Sequence, residues 1–312
     1  MHSQKTIFEQ SLTLYRNRLK HIRPLHVFLH WTMQRVIIPI LERLRGFKTM
    51  PDDPMWFRLE LVTRRHEKKT LHVVEQRLRP GMTMLDIGAH VGYYAVAAAR
   101  LVGERGRVLA FEPNPRIFTM LQRNVANYPA VQPLQMAVSD STGTAELFDY
   151  LVLSGSASLH YDAELLEREQ ANIQKDAIAP RLGQQFAAQK YSVETARLDD
   201  VLADKGIETV DFIKMDIEGA EIHALRGMSE TIARSPRLQM IMEFNPQALK
   251  AFEHAAAAAL REVLALGFAR VEVIQEDGSL APLSTNDNSI EQLAEQLLHN
   301  GGNVNLLFSK IS

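Results

Sequence analysis

Charged side chains stand at four places in this chain where a short apolar run gives way to a turn: Asp86, Glu112, the stretch Asp211 to Glu221, and Glu243. Each preceding run has the length and the Val, Ile, Leu, Phe or Met content of a buried strand. A charge at the end of a buried strand is costly unless it is paired or faces a cleft. In Leu85-Asp86-Ile87-Gly88-Ala89-His90-Val91-Gly92 the strand ends in a glycine turn that leads into a helix. Such a turn lets the backbone approach a ligand closely and presents N–H groups beside a helix N-terminus, the usual seat of a nucleotide-like cofactor.

The spacing narrows the cofactor. A dinucleotide fingerprint needs Gly-x-Gly-x-x-Gly, and here His90 and Tyr93 occupy the places of the second and third glycines. Asp86 suits the positively charged amino-acid end of S-adenosylmethionine, directly or through the loop amides it orders; its plainer role is to cap the turn. Glu112 closes the next strand, Val108-Leu109-Ala110-Phe111, before Pro113-Asn114-Pro115, where a carboxylate can accept hydrogen bonds from both ribose hydroxyls.

The run Lys214-Met215-Asp216-Ile217-Glu218-Gly219-Ala220-Glu221 brings a lysine and three acids to one strand end. Strand alternation places Lys214, Asp216 and Glu218 on one side if the extended conformation continues. Glu218 and Glu221 are also suited to the N-terminus of the following helix. Glu243 ends the run Met240-Ile241-Met242, and Lys214 is its expected partner. Asp216 is the first candidate for a general base or for orienting an acceptor, with Glu218 and Glu243 as alternates and Lys214 as the group that positions a carboxylate or stabilises developing alkoxide charge. Asp216 is counted among the cofactor contacts as well. The acids at 216, 218 and 243 have the oxygen chemistry of a divalent-metal site, but no residue is assigned as a ligand. His160, His223 and His254 have no ligand spacing with these acids and read as surface or packing residues. Ser154-Gly155-Ser156-Ala157-Ser158 reads as a loop near the cofactor.

Around these residues the chain alternates helices with short apolar runs, the pattern of a parallel α/β sheet. Strands are expected at 83–87, 107–111, 131–138, 212–215, 240–244, 269–275 and 304–309, with the last two able to pair antiparallel. Helices are expected near 71–79, 91–102, 114–127, 219–233, 247–266 and 290–299. Residues 164–189, rich in Ala, Gln, Glu and Lys, read as an inserted helix. The domain expectation is a helical extension over 1–60, followed by a main domain over 61–312 with a helical insert at about 150–192. Residues 6–48 carry apolar positions at helical spacing, and Pro51-Asp52-Asp53-Pro54 marks a break. Arg16, Arg18, Lys20, Arg23, Arg35, Arg43 and Arg45 give this extension a basic tint that would suit an acidic membrane. The preferred reading is the plainer one, a solvated helix face packed on the main domain.

Composition sets outer limits. With 35 Lys plus Arg against 37 Asp plus Glu, no charge excess points to nucleic acid. The absence of cysteine excludes disulfides, thiolate nucleophiles and cysteine-based zinc sites. No secretory pattern opens the sequence, so the expected location is the cytoplasm, with contact at the inner face of the membrane left open.

Taken together, the turn Asp86 to Gly92, Phe111-Glu112-Pro113, Ala137-Val138-Ser139-Asp140, the Lys214–Glu221 block and the Glu243 strand end resemble the FkbM family of S-adenosylmethionine-dependent methyltransferases, in the family's order and over roughly residues 66–245. The resemblance implies a Rossmann-like doubly wound seven-stranded sheet, mostly parallel with an antiparallel last strand, and methylation of a hydroxyl on a sugar, glycolipid or secondary metabolite. It adds Glu67, Gly88, Ala89, His90, Gly92, Pro113 and Ala137 to the expected cofactor site; His90 stands where the family frequently has asparagine. Two alternatives are kept: a nicotinamide-dependent oxidoreductase, opposed by the missing glycines, and a non-catalytic scaffold.

Overall fold

The structure is a computed structural model and describes residues 23–150, 154–160 and 188–310. The chain forms two compact units, one of residues 1–49 and 53–66 and the other of 50–52 and 67–312.

In the first unit, helices α1 (Arg23–Thr32) and α2 (Ile38–Arg45) are joined by a π-helical turn over Met33–Ile37, in which the Ile38 N–H reaches back to the Met33 carbonyl. Gly46, at φ 63°, ends α2 in the left-handed conformation that glycine tolerates best. Helix α3 (Met55–Thr63) follows Pro54. Buried Glu42 ties the unit together. It accepts hydrogen bonds from the Thr49 N–H and hydroxyl at 3.1 and 2.6 Å, and it pairs with Arg58 and Lys48, each at 3.2 Å. Burial alone would raise the Glu42 carboxyl, but the Thr49, Arg58 and Lys48 donors hold it below its ordinary value.

The second unit begins with α4 (Lys68–Arg77) and is built on an eight-stranded sheet. Its strands are β1 (Thr83–Ile87), β2 (Arg107–Phe111), β3 (Val131–Leu134), β7 (Phe212–Met215), β8 (Gln239–Phe244), β9 (Arg270–Ile274), β10 (Leu280–Pro282) and β11 (Val304–Ser309), in the spatial order β10-β9-β11-β8-β7-β1-β2-β3. Strands β3, β2, β1, β7 and β8 run parallel; β11 lies antiparallel between β8 and β9. The sheet is Rossmann-like and carries one strand more than the seven expected: β10, a three-residue edge strand antiparallel to β9. The central strands are buried along nearly their whole length, as expected of parallel strands covered on both faces, and Leu85, Leu109, Phe111, Ile213, Met240, Phe244 and Phe308 form one core.

Two of the flanking helices, α5 (Tyr93–Val102) and α6 (Pro115–Val125), follow β1 and β2 directly. The side chain of Asn114 caps α6 by accepting from the Arg116 and Ile117 N–H groups.

The remaining strands form a separate three-stranded sheet, β4 (Ala137–Val138), β6 (Ala188–Ala196) and β5 (Gly143–Tyr150). The single strand expected over 131–138 is therefore two strands in two sheets. Pro133, with no N–H to give a further partner, sits on the edge strand β3, and the chain leaves the main sheet after Leu134. The expected helix 219–233 is divided into α8 (Glu221–Arg226) and α9 (Ser229–Arg234) around Gly227, where a Cβ would lie 1.9 Å from the Ser139 carbonyl oxygen. The helix expected over 247–266 is likewise two, α10 (Pro246–Ala251) and α11 (Ala256–Ala265), separated by Glu253 at φ 61°. Helix α7 (Leu198–Asp204) precedes β7, and α12 (Asp287–Asn300) precedes β11. Most of the expected inserted helix, residues 164–187, lies outside the described residues. Residues 188–192, assigned to the same insert, belong to strand β6.

Candidate active site

Strand β1 has its sequence neighbour β2 on one side and the distant β7 on the other, so a crevice opens beyond the carboxyl ends of these strands. A cleft of about 630 Å³, counting space open to solvent, lies there. Of the sequence-derived site residues, Gly88, His90, Glu112, Pro113, Ala137, Asp216 and Glu218 line it. Glu67, Asp86, Ala89, Gly92, Lys214 and Glu243 do not; they stand behind or beside that lining.

The glycine turn is held differently from the expectation. The N–H groups of Gly88 and Ala89 both donate to the Phe111 carbonyl, at 3.1 and 2.8 Å, and the His90 N–H donates to Glu112 at 3.0 Å. Those three amides fasten β1 to β2 and are not offered to a ligand. Gly88 is required by the strand on the other side: at φ 80°, a Cβ there would lie 1.9 Å from the Asp216 carbonyl oxygen. At Gly92 a Cβ would meet Leu121 of α6 at 2.8 Å. His90 takes a left-handed φ of 52°, a conformation in which Asn, Asp and His are the commonest non-glycine residues, and its Nε2 lies 2.5 Å from the Ser154 hydroxyl.

Glu112 is buried, accepting the His90 N–H on one oxygen and the Asn114 N–H on the other at 2.9 Å. A carboxylate has about four lone-pair sites, so each oxygen keeps capacity for a ligand hydroxyl. Burial raises its pKa to about 7 against those two amides. Asp86 is fully buried, and neither of its oxygens reaches a full hydrogen bond. Burial raises it to about 7, against the Lys214 charge and the Ala95 N–H, which favour the carboxylate. Neither oxygen is fully satisfied, which is a cost for a buried acceptor.

At the end of β7 the extended chain persists for one residue, with the Asp216 N–H donating to the Ile87 carbonyl at 3.1 Å. It then turns: Glu218 has φ 53° and Gly219 φ 103°. Asp216 and Glu218 therefore meet at the cleft through a turn, and strand alternation does not extend to Glu218. Lys214 is buried, its Nζ 2.7 Å from Asp216 Oδ2 and 5.0 Å from the centre of the Tyr94 ring. Burial pushes the ammonium down, but Asp216 and Glu67 more than offset this and hold it above its ordinary value. The expected Lys214–Glu243 pair does not form. Lys214 is taken by Asp216, two residues along its own segment, and Glu243 accepts from the Asn303 side-chain amide at 2.6 Å. Glu243 is raised well above the usual carboxylate range by burial and by the acids at 216 and 218.

Glu218 stands apart in this group. Among the described residues its carboxyl makes no hydrogen bond, its carbonyl accepts from the Ser158 hydroxyl at 3.4 Å, and burial together with Asp216 and Glu221 raises it to about 8. Glu221 accepts from the Ile217 and Gly219 N–H groups, each at 3.3 Å, which is the helix-entry role the sequence suggested. Glu67 accepts from the Tyr94 hydroxyl at 2.5 Å and from Asn305 at 3.4 Å. Tyr94 is raised well above the ordinary phenol by burial and by Glu67 beside it. Among the described residues no three His, Asp or Glu side chains are arranged to hold a metal ion. His223 pairs with Asp140 at 2.8 Å and packs on Phe252 and His254.

Sequence reasoning missed most of the apolar part of the cleft, Met136, Leu147 and Leu159, and reached Ala157 only as part of a loop near the cofactor. Isolated apolar residues carry no chemical signal, and only the Ser154–Ser158 stretch had been singled out. Asn303 and Asn305 were also missed; their place before and within β11 brings them to the acids only through the register that sets Asn305 opposite Glu243.

A doubly wound sheet with an antiparallel β11, a glycine turn after β1 and an acid at the end of β2 define a methyltransferase that uses S-adenosylmethionine. The chain belongs to the FkbM family within that class: the model of the methyltransferase FkbM domain matches residues 86–269. The nicotinamide alternative falls with this assignment. Methyltransferase sdnD of Sordaria araneosa is 30% identical over 184 residues, 54% of this chain and 68% of that protein. The 31-O-demethyl-FK506 methyltransferase FkbM of Streptomyces tacrolimicus is 30% identical over 203 residues, covering 62% of this chain and 73% of that one. The 2-O-methyltransferase NoeI of Sinorhizobium fredii is 28% identical over 158 residues, covering 50% and 61%.

Proposed function

We propose that this methyltransferase acts on a hydroxyl oxygen of a small molecule, such as a sugar, glycolipid or secondary metabolite, with Glu218 receiving the hydroxyl proton. The observation that carries the reading is the Glu218 carboxyl itself, at the cleft, without a hydrogen-bond partner among the described residues and raised to about 8. Two of the relatives are named for O-methyl chemistry, which supports the same reading.

When bound, S-adenosylmethionine supplies an electrophilic methyl group, so what the protein must add is alignment, exclusion of water and a place for one proton. The residues present fit that cofactor: Glu112 has lone pairs for a ribose, Pro113 and Ala137 give an apolar wall for an adenine, and Asp86 is an orphaned acid behind the turn. Glu67 and His90 act by support, the first holding Tyr94 and the second holding Ser154. An aliphatic hydroxyl is a poor nucleophile at neutral pH. A base with a pKa near the working pH has the best balance of being deprotonated and still accepting a proton. The sequence reading put Asp216 first, but its Oδ2 is held by Lys214, whereas the Glu218 carboxyl makes no hydrogen bond among the described residues. Asp216 and Lys214 are then positioning residues, with Glu221 and Glu67 adding to the negative field that raises Glu218, and Glu243 is itself raised by Asp216 and Glu218.

The test is incubation with S-adenosylmethionine and hydroxylated acceptors, followed by fragment mass spectrometry to locate the added methyl. A methyl on oxygen supports the reading, and one placed on nitrogen or carbon refutes it. Glu218→Gln should lower kcat by about 100–10,000-fold, the usual range for loss of a general base, while cofactor affinity changes little. A near-normal kcat returns the role to Asp216.

A further inference from the structure

The helical stretch from Arg23 to Arg45 carries six exposed large apolar side chains, Phe28, Trp31, Val36, Ile37, Ile40 and Leu44, at 37% to 77% exposure. They are spread irregularly for an ordinary α-helix. At 100° per residue they would scatter over roughly 240° of the wheel. The π-helical turn over Met33–Ile37, closed by the Ile38 N–H on the Met33 carbonyl, inserts an extra residue into the winding. With that one-residue shift the same six fall within an arc of about 140°, an apolar stripe along a helix of about 35 Å, interrupted by Arg43.

From Phe28 to Arg45 the charges all have one sign where they meet solvent. Arg35, Arg43 and Arg45 are exposed, and the one acid between Phe28 and Gly46, Glu42, is buried against Thr49, Arg58 and Lys48. An aromatic and aliphatic stripe with Arg43 inside it and further arginines on the same helix, their stems able to lie along the apolar surface and their heads able to rise from it, matches the boundary of an anionic bilayer. Trp is a residue type that favours this boundary. Among the described residues no helix is long and apolar enough to cross a membrane, so the fit is to lying on a surface.

We infer that the Arg23–Arg45 helix is a membrane-surface element that docks the protein on anionic lipid through the Phe28–Leu44 stripe. This is independent of the base assignment and of the identity of the acceptor.

The experiment is co-sedimentation of the full chain with vesicles of phosphatidylcholine alone and of phosphatidylcholine with phosphatidylserine. Three proteins are compared: wild type, a Phe28→Ser, Trp31→Ser, Leu44→Ser variant, and an Arg35→Gln, Arg43→Gln, Arg45→Gln variant. All substituted positions are exposed, and retained S-adenosylmethionine binding shows that the larger unit is intact. Binding to the anionic vesicles, weakened by salt, lost in the serine variant and reduced about 100-fold in the glutamine variant, is expected; each basic residue near an anionic surface is worth about fivefold. Absence of sedimentation with either vesicle overturns the inference, as does equal binding by the three proteins. Equal binding to neutral vesicles overturns the charge argument. A wild type that self-associates, with a monomeric serine variant and no lipid binding, assigns the stripe to a second copy of the chain instead.

Discussion

Glu112→Gln is the sharpest single test of the cofactor site, because the two side chains have the same size and differ in what one atom can do. In the native site each oxygen of Glu112 accepts a backbone N–H, from His90 at 3.0 Å and from Asn114 at 2.9 Å. A glutamine satisfies one of them and turns an NH2 group toward the other. One hydrogen bond to a charged acceptor is lost, at about 1.5–3 kcal/mol, and two donors face each other in a buried place. The same atom can no longer accept a ribose hydroxyl, so cofactor affinity should fall by a further bond of that size, roughly 10–150-fold in Kd. Thermal unfolding of the free protein reads the first loss, and calorimetric titration with S-adenosylmethionine reads the second. A variant with lowered Tm and unchanged Kd would refute the ribose role and leave Glu112 as a brace for the turn. Unchanged values of both would refute the reasoning altogether.

Other expectations follow from the same geometry. Gly88→Ala should lower Tm far more than Gly81→Ala: both glycines have positive φ, near 80° and 87°, but only at Gly88 does the new carbon meet an atom, the Asp216 carbonyl oxygen at 1.9 Å. Strain alone costs about 1–2 kcal/mol and overpacking about 1–3 more, so equal losses at the two positions would count against the close approach. Asp86, Glu112 and Glu221 are raised to about 7 and Glu218 to about 8, from ordinary values of 3.8 and 4.5. The native state then holds more protons than the unfolded chain over this range, so their contribution to stability is present at low pH and is lost as pH rises through 7 to 8. Scanning fluorimetry of the free protein should show Tm falling across that window, and a rising Tm would contradict the burial argument. Glu42→Ala leaves Arg58 buried without its carboxylate and should cost about 3–5 kcal/mol, read as rapid proteolysis between residues 23 and 66; wild-type resistance there would show that the pair contributes little.

How far the sequence reached depends on the kind of residue. Strands β1, β2, β7 and β11 were legible to their ends, since a run such as Val108–Phe111 is apolar throughout and is stopped by the charge of Glu112. The small sheet was not legible. Strand β5, Gly143–Tyr150, mixes Glu146 and Asp149 with Leu147 and Phe148 and shows no clean alternation, and β6 adjoins a polar stretch that reads as helix. At the site, every acid at a strand end was found, because charge after an apolar run is conspicuous. Its partners were not found. Whether Lys214 turns to Asp216 or to Glu243 depends on side-chain direction, and the Asn303 and Asn305 contacts depend on a pairing some sixty residues away.

The placement of β11 bears on how the enzyme comes into being. This strand is made last of all those in the main sheet, yet it lies inside it, hydrogen-bonded to β8 on one side and β9 on the other. A chain growing on the ribosome therefore carries two unpaired strand edges until residues 304–309 emerge. Through the same interval Glu243 lacks Asn303, and Glu67 lacks Asn305. Until β11 arrives those edges are open to aggregation, and its pairing with segments made long before is the slow, long-range step that removes them.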